Sequence, residues 1–103
     1  MAARVPKERR EITLTLVRDT LNGEPYEYYP LGKYIVAARG VCGGRPTFKY
    51  TRIEVEVVLE LLAVEQSLEQ LVENFQGRVP KEAIQEALRL AASLLKHEAI
   101  VTA

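Results

Sequence analysis

Hydrophobic and polar residues alternate along residues 11–18 (EITLTLVR), where every second side chain is apolar and β-branched residues are frequent. A period of two with this composition predicts a β-strand. Asn22 and Gly23 follow, and this dipeptide is the strongest short signal for a tight hairpin turn. The return arm is residues 24–30 (EPYEYYP), so the sequence predicts a β-hairpin.

Two prolines limit how the return arm can pair in a sheet, because a proline cannot donate a backbone hydrogen bond. Pro25 and Pro30 therefore predict an edge strand or an irregular one. A second apolar run, residues 33–37 (KYIVA), predicts another strand. These few strands form an element too small to be stable alone, so it needs something to pack on.

Residues 53–62 (IEVEVVLELL) fit two patterns, since their apolar positions suit both a strand and a helix. The length of the run and its richness in Leu and Glu favour a helix. The segment also begins T-R-I-E, which predicts a capping box between Thr51 and Glu54. We therefore predict that the first helix starts here.

Two further helices are predicted in the rest of the chain. S-L-E-Q repeats the capping box with Ser67 and Gln70, and Gly77 ends this short helix. Pro80 suits the first position of the last helix, which runs to about His97. The predicted buried stripe of that helix is Ile84, Ala87, Leu88, Ala91, Leu94 and Leu95. Three helices with very short connections are typical of a helix-turn-helix trihelical bundle.

Charge is strongly segregated although the 103 residues carry equal numbers of acidic and basic side chains. Residues 1–10 and 31–53 are basic, whereas residues 54–75 carry six glutamates and no base. Nucleic acid binding would therefore have to be local, through the basic segments. Alternatively, acidic helices and basic loops face each other within one molecule or a dimer. No apolar run is long enough to span a membrane, and no secretory signal is recognised, so we expect a cytoplasmic protein.

The sequence contains no pattern that points to catalysis. Its one cysteine, Cys42, and its one histidine, His97, are far apart and cannot build a usual zinc site. Gly43 and Gly44 are not followed by the Lys-Ser or Lys-Thr of a phosphate loop. We therefore predict no enzyme activity, no catalytic residue, no metal and no cofactor.

The start of the last helix carries the candidates for DNA contact. Arg78, Lys81 and Gln85 could meet phosphates and base edges. Glu82 and Glu86 lie in the same stretch and would repel phosphate. The alternative is that all five are ordinary surface residues.

From Tyr34 onward, over roughly two thirds of the chain, the sequence resembles the domain-of-unknown-function 433 family. The residues that carry the resemblance are Gly43, Gly44, Arg45, Pro46, Thr51, Arg52, Ile53, Ser67, Leu68, Glu69, Leu71 and Pro80. Tyr50 departs from the family pattern, which usually has Gly there. Because tyrosine tolerates positive φ poorly, a different turn is expected before Thr51.

The resemblance implies a homeodomain-like helix-turn-helix fold. We therefore expect a small α+β protein with a β-hairpin or small sheet in residues 1–50 and a homeodomain-like three-helix bundle in residues 51–103, forming one compact domain. The family members resemble VapB-like antitoxins encoded beside PIN-like ribonuclease toxins. The implied function is an antitoxin-like regulator of a type II toxin–antitoxin pair that binds operator DNA, its toxin, or both.

The basic segments supply candidate contacts to the acidic site of such a toxin. These candidates are Arg45 and Lys49, with Arg9 and Arg10 on the N-terminal arm. Arg52 instead is interpreted as pinning its loop to an acidic helix. Exposed strand edges predict a homodimer. The alternative function is a non-catalytic interaction or dimerisation module that binds no nucleic acid.

Overall fold

A computed structural model describes residues 14–64 and 67–97. Within these residues, one antiparallel sheet precedes three helices, which makes the fold α+β. The sheet has the order β1-β2-β3-β4, formed by Val17–Leu21, Glu24–Pro30, Ile35–Ala38 and Thr47–Phe48. The helices are α1 (Val55–Ala63), α2 (Leu68–Asn74) and α3 (Lys81–His97). A 3₁₀ turn, Cys42–Gly44, lies between β3 and β4. None of the described helices is both long and apolar enough to cross a membrane.

The predicted hairpin is confirmed, with Asn22 and Gly23 as its two-residue turn. Both residues have positive φ, 54° and 80°, which is the geometry that matches the twist of the flanking strands. β1 lies later than predicted, because it spans Val17–Leu21 and overlaps the predicted strand 11–18 only at Val17 and Arg18. Residues 14–16 lie outside any strand, and residues 11–13 are not among those the structure describes.

Pro30 explains why β1 begins at Val17, and the pairing position of Pro25 explains why the strand tolerates that proline. Residues that flank a two-residue turn form a hydrogen-bonded pair, and hydrogen-bonded pairs then alternate with non-bonded ones. The next bonded pair after Val17 and Tyr28 would need an N–H from Pro30, so pairing of β1 ends there. Pro25 faces Thr20 at a non-bonded position. The prediction of an edge strand is wrong, since β2 lies between β1 and β3.

The main hydrophobic core lies between the sheet and the helices. Ile35 and Phe48 come from the sheet, and they pack with Val58 of α1, Leu71 of α2 and Ile84 of α3. The predicted homeodomain-like three-helix bundle is therefore wrong. The helices do not enclose a core of their own, because α2 has only seven residues and sheet side chains complete the core.

A second hydrophobic cluster lies on the opposite face of the sheet. Tyr26, Tyr28, Val36 and Ala38 are buried there. Ile35 and Val36 are consecutive, and both are almost fully buried. Because successive side chains of a strand point to opposite faces, β3 is covered on both faces.

The first helix is helical as predicted, but its cap differs. The expected capping box of Thr51 and Glu54 is wrong, because α1 begins at Val55 and Glu54 makes no side-chain cap. The Thr51 hydroxyl donates to the Phe48 carbonyl at 2.7 Å and accepts from the Ile53 N–H at 3.0 Å. Thr51 therefore fixes the turn that precedes the helix.

At α2 the capping box is present as predicted. The Gln70 N–H donates to the Ser67 hydroxyl and the Ser67 N–H donates to the Gln70 side chain, both at 3.0 Å. These bonds satisfy two backbone donors at the start of a helix of about two turns.

The third helix begins at Lys81, one residue after the predicted start at Pro80, and it is buried along only half of its apolar stripe. Ile84 and Ala87 are almost fully buried, whereas Leu94 and Leu95 are 73% and 74% exposed. The predicted burial of Leu94 and Leu95, and of the half-exposed Leu88, is therefore wrong, since the shared core covers only the first half of α3.

A carboxylate connects α3 to the turn between β2 and β3. Glu86 accepts hydrogen bonds from the backbone N–H groups of Lys33 at 2.9 Å and Tyr34 at 2.8 Å. Gly32 allows this approach, because a β-carbon there would collide with the Glu86 carboxylate. Glu86 is therefore part of the structural framework.

Candidate anion-binding cleft

An open cleft of about 280 Å³ lies between the β1–β2 hairpin and the segment that follows β4. We call it the hairpin cleft. It is lined by Leu21, Asn22, Tyr26, Val41, Tyr50, Thr51, Arg52 and Arg78. Both charged residues in this lining, Arg52 and Arg78, are basic, so the cleft favours anions.

Tyr50 makes the contacts that join the two sides of the cleft, which are the β1–β2 hairpin and the segment after β4. Its φ of 64° lies in the left-handed region, which is an outlier for a bulky residue. Its N–H donates to the Tyr26 hydroxyl at 2.9 Å, and its own hydroxyl donates to Asp19 Oδ2 at 2.7 Å. The hairpin thus holds Tyr50 in a conformation that glycine would adopt freely.

Hydrogen bonding and burial set the charge state of this cluster. The hydrogen bond to Asp19 raises the pKa of Tyr50 to about 12. The same bond, followed by that from the Thr20 N–H, lowers the pKa of Asp19. Burial raises the pKa of Tyr26. At neutral pH both phenols of the cleft are therefore uncharged.

Of the two predicted partner-binding residues near the cleft, Lys49 lies against the tyrosines. Its Nζ is 5.1 Å from the ring centroid of Tyr28 and 5.3 Å from that of Tyr50. These distances are in the range of cation–π contacts. Lys49 therefore adds positive charge beside the aromatic wall.

Arg45 is engaged within the molecule instead. Its Nε donates to Glu54 Oε1 at 2.6 Å, just before α1. That hydrogen bond raises the pKa of Arg45 and lowers the pKa of Glu54. Arg45 thus fixes the loop to the start of the acidic helix, the role that the sequence assigned to Arg52.

The remaining predicted contacts are not assembled into one site. Arg78 lies in the hairpin cleft, after a turn in which Gln76 and Gly77 have positive φ. Lys81 is exposed at the first position of α3 and Gln85 is half-buried, and neither lines the cleft. Arg9 and Arg10 are outside the residues that the structure describes.

The position of Arg52 and Arg78 in the cleft distinguishes them, because Arg89 on α3 also takes part in no ion pair among the described residues but does not line the cleft. Arg18 and Arg39 both contact Glu27, at 3.3 and 3.5 Å. In the described parts of the chain, Arg52 and Arg78 take part in no ion pair. The sequence did not predict that these two arginines share a cleft with Tyr26 and Tyr50. The one sequence feature that pointed to this place was the unusual tyrosine at position 50.

The described residues offer little for other chemistry. Residues 14–64 and 67–97 contain no group of three His, Cys, Asp or Glu side chains that could hold a metal ion. Cys42 is half-buried, and its thiol donates to the Arg52 carbonyl at 3.4 Å. This contact gives the thiol a structural role beside the cleft.

A comparison with protein families places the chain. It belongs to the family described as "Protein of unknown function (DUF433)", whose model matches residues 35–91. A search of curated proteins and a search of solved structures each found no match. The matched region begins at β3, so the β1–β2 hairpin lies outside it. The hairpin cleft is therefore formed where the family region meets a hairpin beyond the match.

Proposed function

We propose that the protein is an antitoxin-like regulator, similar to VapB antitoxins, that binds DNA through the hairpin cleft. The observation that carries this proposal is that Arg52 and Arg78 line one cleft and neither is in an ion pair among the described residues. The resemblance of the DUF433 signature to antitoxin-type regulators supports it by analogy.

Guanidinium groups suit this role because their planar donors match the oxygens of a phosphate. Lys49 adds a third positive charge next to the cleft. Since the whole chain has no net charge, attraction to DNA would come from this local patch. Binding should therefore depend strongly on salt.

The same groups also suit a PIN-like ribonuclease, whose acidic metal site presents carboxylates in place of phosphates. In this part of the proposal, Arg52, Arg78 and Lys49 contact the toxin. A PIN-like reading frame beside the gene, and co-purification of its product, are the expected observations. Absence of both removes the toxin part and leaves the DNA part standing.

The DNA part is tested by a salt titration of binding to the DNA upstream of the gene. Each phosphate contact contributes about 0.9 to the slope of log K against log salt. We expect Arg52→Gln and Arg78→Gln each to lower the slope by about this amount. Arg39→Gln is the matched control, because Arg39 is exposed but pairs with Glu27 outside the cleft. No binding even at low salt, or equal loss in the control, refutes the proposal.

A specific observation favours a second candidate function, a non-catalytic dimerisation module. Leu88, Leu94 and Leu95 are exposed along α3, and apolar residues in such a row often mark protein contacts. We propose a homodimer on this basis. Light scattering should give twice the chain mass for the wild type and a monomer for Leu94→Gln/Leu95→Gln. A monomeric wild type excludes it.

A further inference from the structure

We infer that the hairpin cleft binds one unpaired nucleotide of a single-stranded nucleic acid, with its base on Tyr50 and its phosphate held by Arg52 and Arg78. The inference rests on the proposed function in one respect, because it assumes a nucleic acid partner. It goes further by naming the form of the nucleic acid and the side chain that receives the base.

The first argument is the fixed aromatic surface. Tyr50 is 44% exposed, and its ring lies 5.3 Å from that of Tyr26, centroid to centroid. Its hydroxyl is bound to Asp19 and its backbone to Tyr26. The ring is therefore already oriented before a ligand arrives, and the Lys49 side chain, whose Nζ lies 5.3 Å from the ring centroid, must move aside for a base to stack on it.

The second argument is size. The volume of about 280 Å³ is just below the range for small-ligand pockets, about 300–1,000 Å³. The cleft is close in size to one nucleotide, so it cannot enclose a duplex, whose contacts under the proposed function are limited to backbone phosphates. Bases inside a duplex are stacked on one another, so an aromatic ring in a cleft can contact only a base that is unstacked.

The third argument is charge. Among the residues that the structure describes, the lining contains two arginines and no acid. The nearby Asp19 carboxylate accepts from the Tyr50 hydroxyl and the Thr20 N–H and stays ionised, so it places one negative charge beside the two arginines. Asn22 contributes an amide at the hairpin turn, and such amides pair with base edges.

The hairpin makes this site particular to the chain. Leu21, Asn22 and Tyr26 supply one wall, and all three lie outside the region matched by the family model. The arginines lie inside that region. Family members without an equivalent hairpin therefore should not hold the base in this way.

The test measures fluorescence anisotropy of a labelled six-nucleotide single strand and of the labelled upstream duplex. We expect Tyr50→Gly to weaken single-strand binding about tenfold or more, since glycine keeps the positive φ but removes the ring. Tyr50→Phe keeps the ring and should bind within about threefold of the wild type. Arg52→Gln and Arg78→Gln should each lower the single-strand salt slope by about 0.7.

Thermal unfolding of each variant confirms that it is folded, and Arg39→Gln again serves as the control. Binding of the duplex but not of the single strand overturns the inference and leaves the proposed function intact. Binding of neither at low salt refutes both. Single-strand binding that Tyr50→Gly leaves unchanged also overturns the inference. Binding of the single strand without the duplex supports the inference. It also excludes binding of duplex operator DNA, which the proposed function includes.

Discussion

The hydroxyl of Tyr50 donates a hydrogen bond to the carboxylate of Asp19 at 2.7 Å, and this contact joins the family region of the chain to the β1–β2 hairpin. It also helps to hold Tyr50 at a φ that is unfavourable for tyrosine. Strained residues of this kind occur often at functional sites. The contact therefore links the shape of the hairpin cleft to its stability.

This contact predicts an alkaline loss of stability. The pKa of Tyr50 is raised from 10.0 to about 12, so the hydrogen bond stabilises the fold fully below pH 10. That contribution is lost as the pH rises from 10 to about 12. We expect the difference in denaturation midpoint between wild type and Tyr50→Phe to be constant from pH 7 to 9 and to shrink above pH 10.

Asp19→Asn checks the same contact from the other side. The pKa of Asp19 is lowered, so its contribution is present above its unfolded value of 3.8 and is lost as the pH falls through the folded value. The substitution should move the phenol pKa of Tyr50 from about 12 back toward 10.0, measured by ultraviolet absorption. A phenol that still titrates near 12 would contradict the assignment.

The Glu86 carboxylate should be important for stability. Glu86→Ala removes the acceptor of two backbone N–H groups, and we expect a loss of about 2 kcal/mol in the free energy of unfolding. Glu86→Gln keeps one acceptor oxygen and should lose less. Glu82→Ala is the control, since Glu82 is exposed in the first turn of α3 and should cost less than about 1 kcal/mol. Chemical denaturation measures all three.

The two halves of α3 should respond differently to truncation. Ile84 is fully buried, so Ile84→Ala should destabilise the protein by about 2–5 kcal/mol. Leu94→Ala should change the stability of the monomer by less than about 0.5 kcal/mol, because Leu94 is 73% exposed. Thermal and chemical unfolding at low protein concentration compare them. Equal costs would mean that the second half of α3 is buried in solution.

The capping box of α2 offers a local test. Ser67→Ala removes the hydroxyl that accepts from the Gln70 N–H and should cost about 1 kcal/mol. Ser67→Thr should restore most of this stability. Ser93→Ala is a matched control on an exposed position of α3, where alanine is at least as good a helix former. If Ser67→Ala costs no more than Ser93→Ala, the cap is unimportant in solution.

Local signals in the sequence predicted the local parts of this structure. Asn22 and Gly23 determine their turn by backbone preference, and Ser67 and Gln70 form bonds within one helical turn. The α1 helix was predicted correctly although its expected cap at Thr51 is absent. Length and composition were therefore sufficient for α1.

The rest depends on residues that are distant in sequence. β4 has two residues, too few to show a period, and it exists because Phe48 pairs with Ile35. The hairpin cleft brings Tyr26, Arg52 and Arg78 together from three separate segments. Patterns within a window of ten residues contain no information on such meetings. Asn22, Tyr50, Thr51, Arg52 and Arg78 were therefore each singled out for a separate reason, and not as parts of one cleft.

The Glu86 contact also has a consequence for the dynamics of the fold. Its two hydrogen bonds connect residues 53 and 52 positions apart, so they form only when α3 has docked on the sheet. The amide protons of Lys33 and Tyr34 are then shielded by a partner from the far end of the chain. Their exchange with solvent deuterium should report each undocking of α3, while amides inside α1 report only local opening. Two turn amides thus act as a natural probe of how firmly the two layers of the protein hold together.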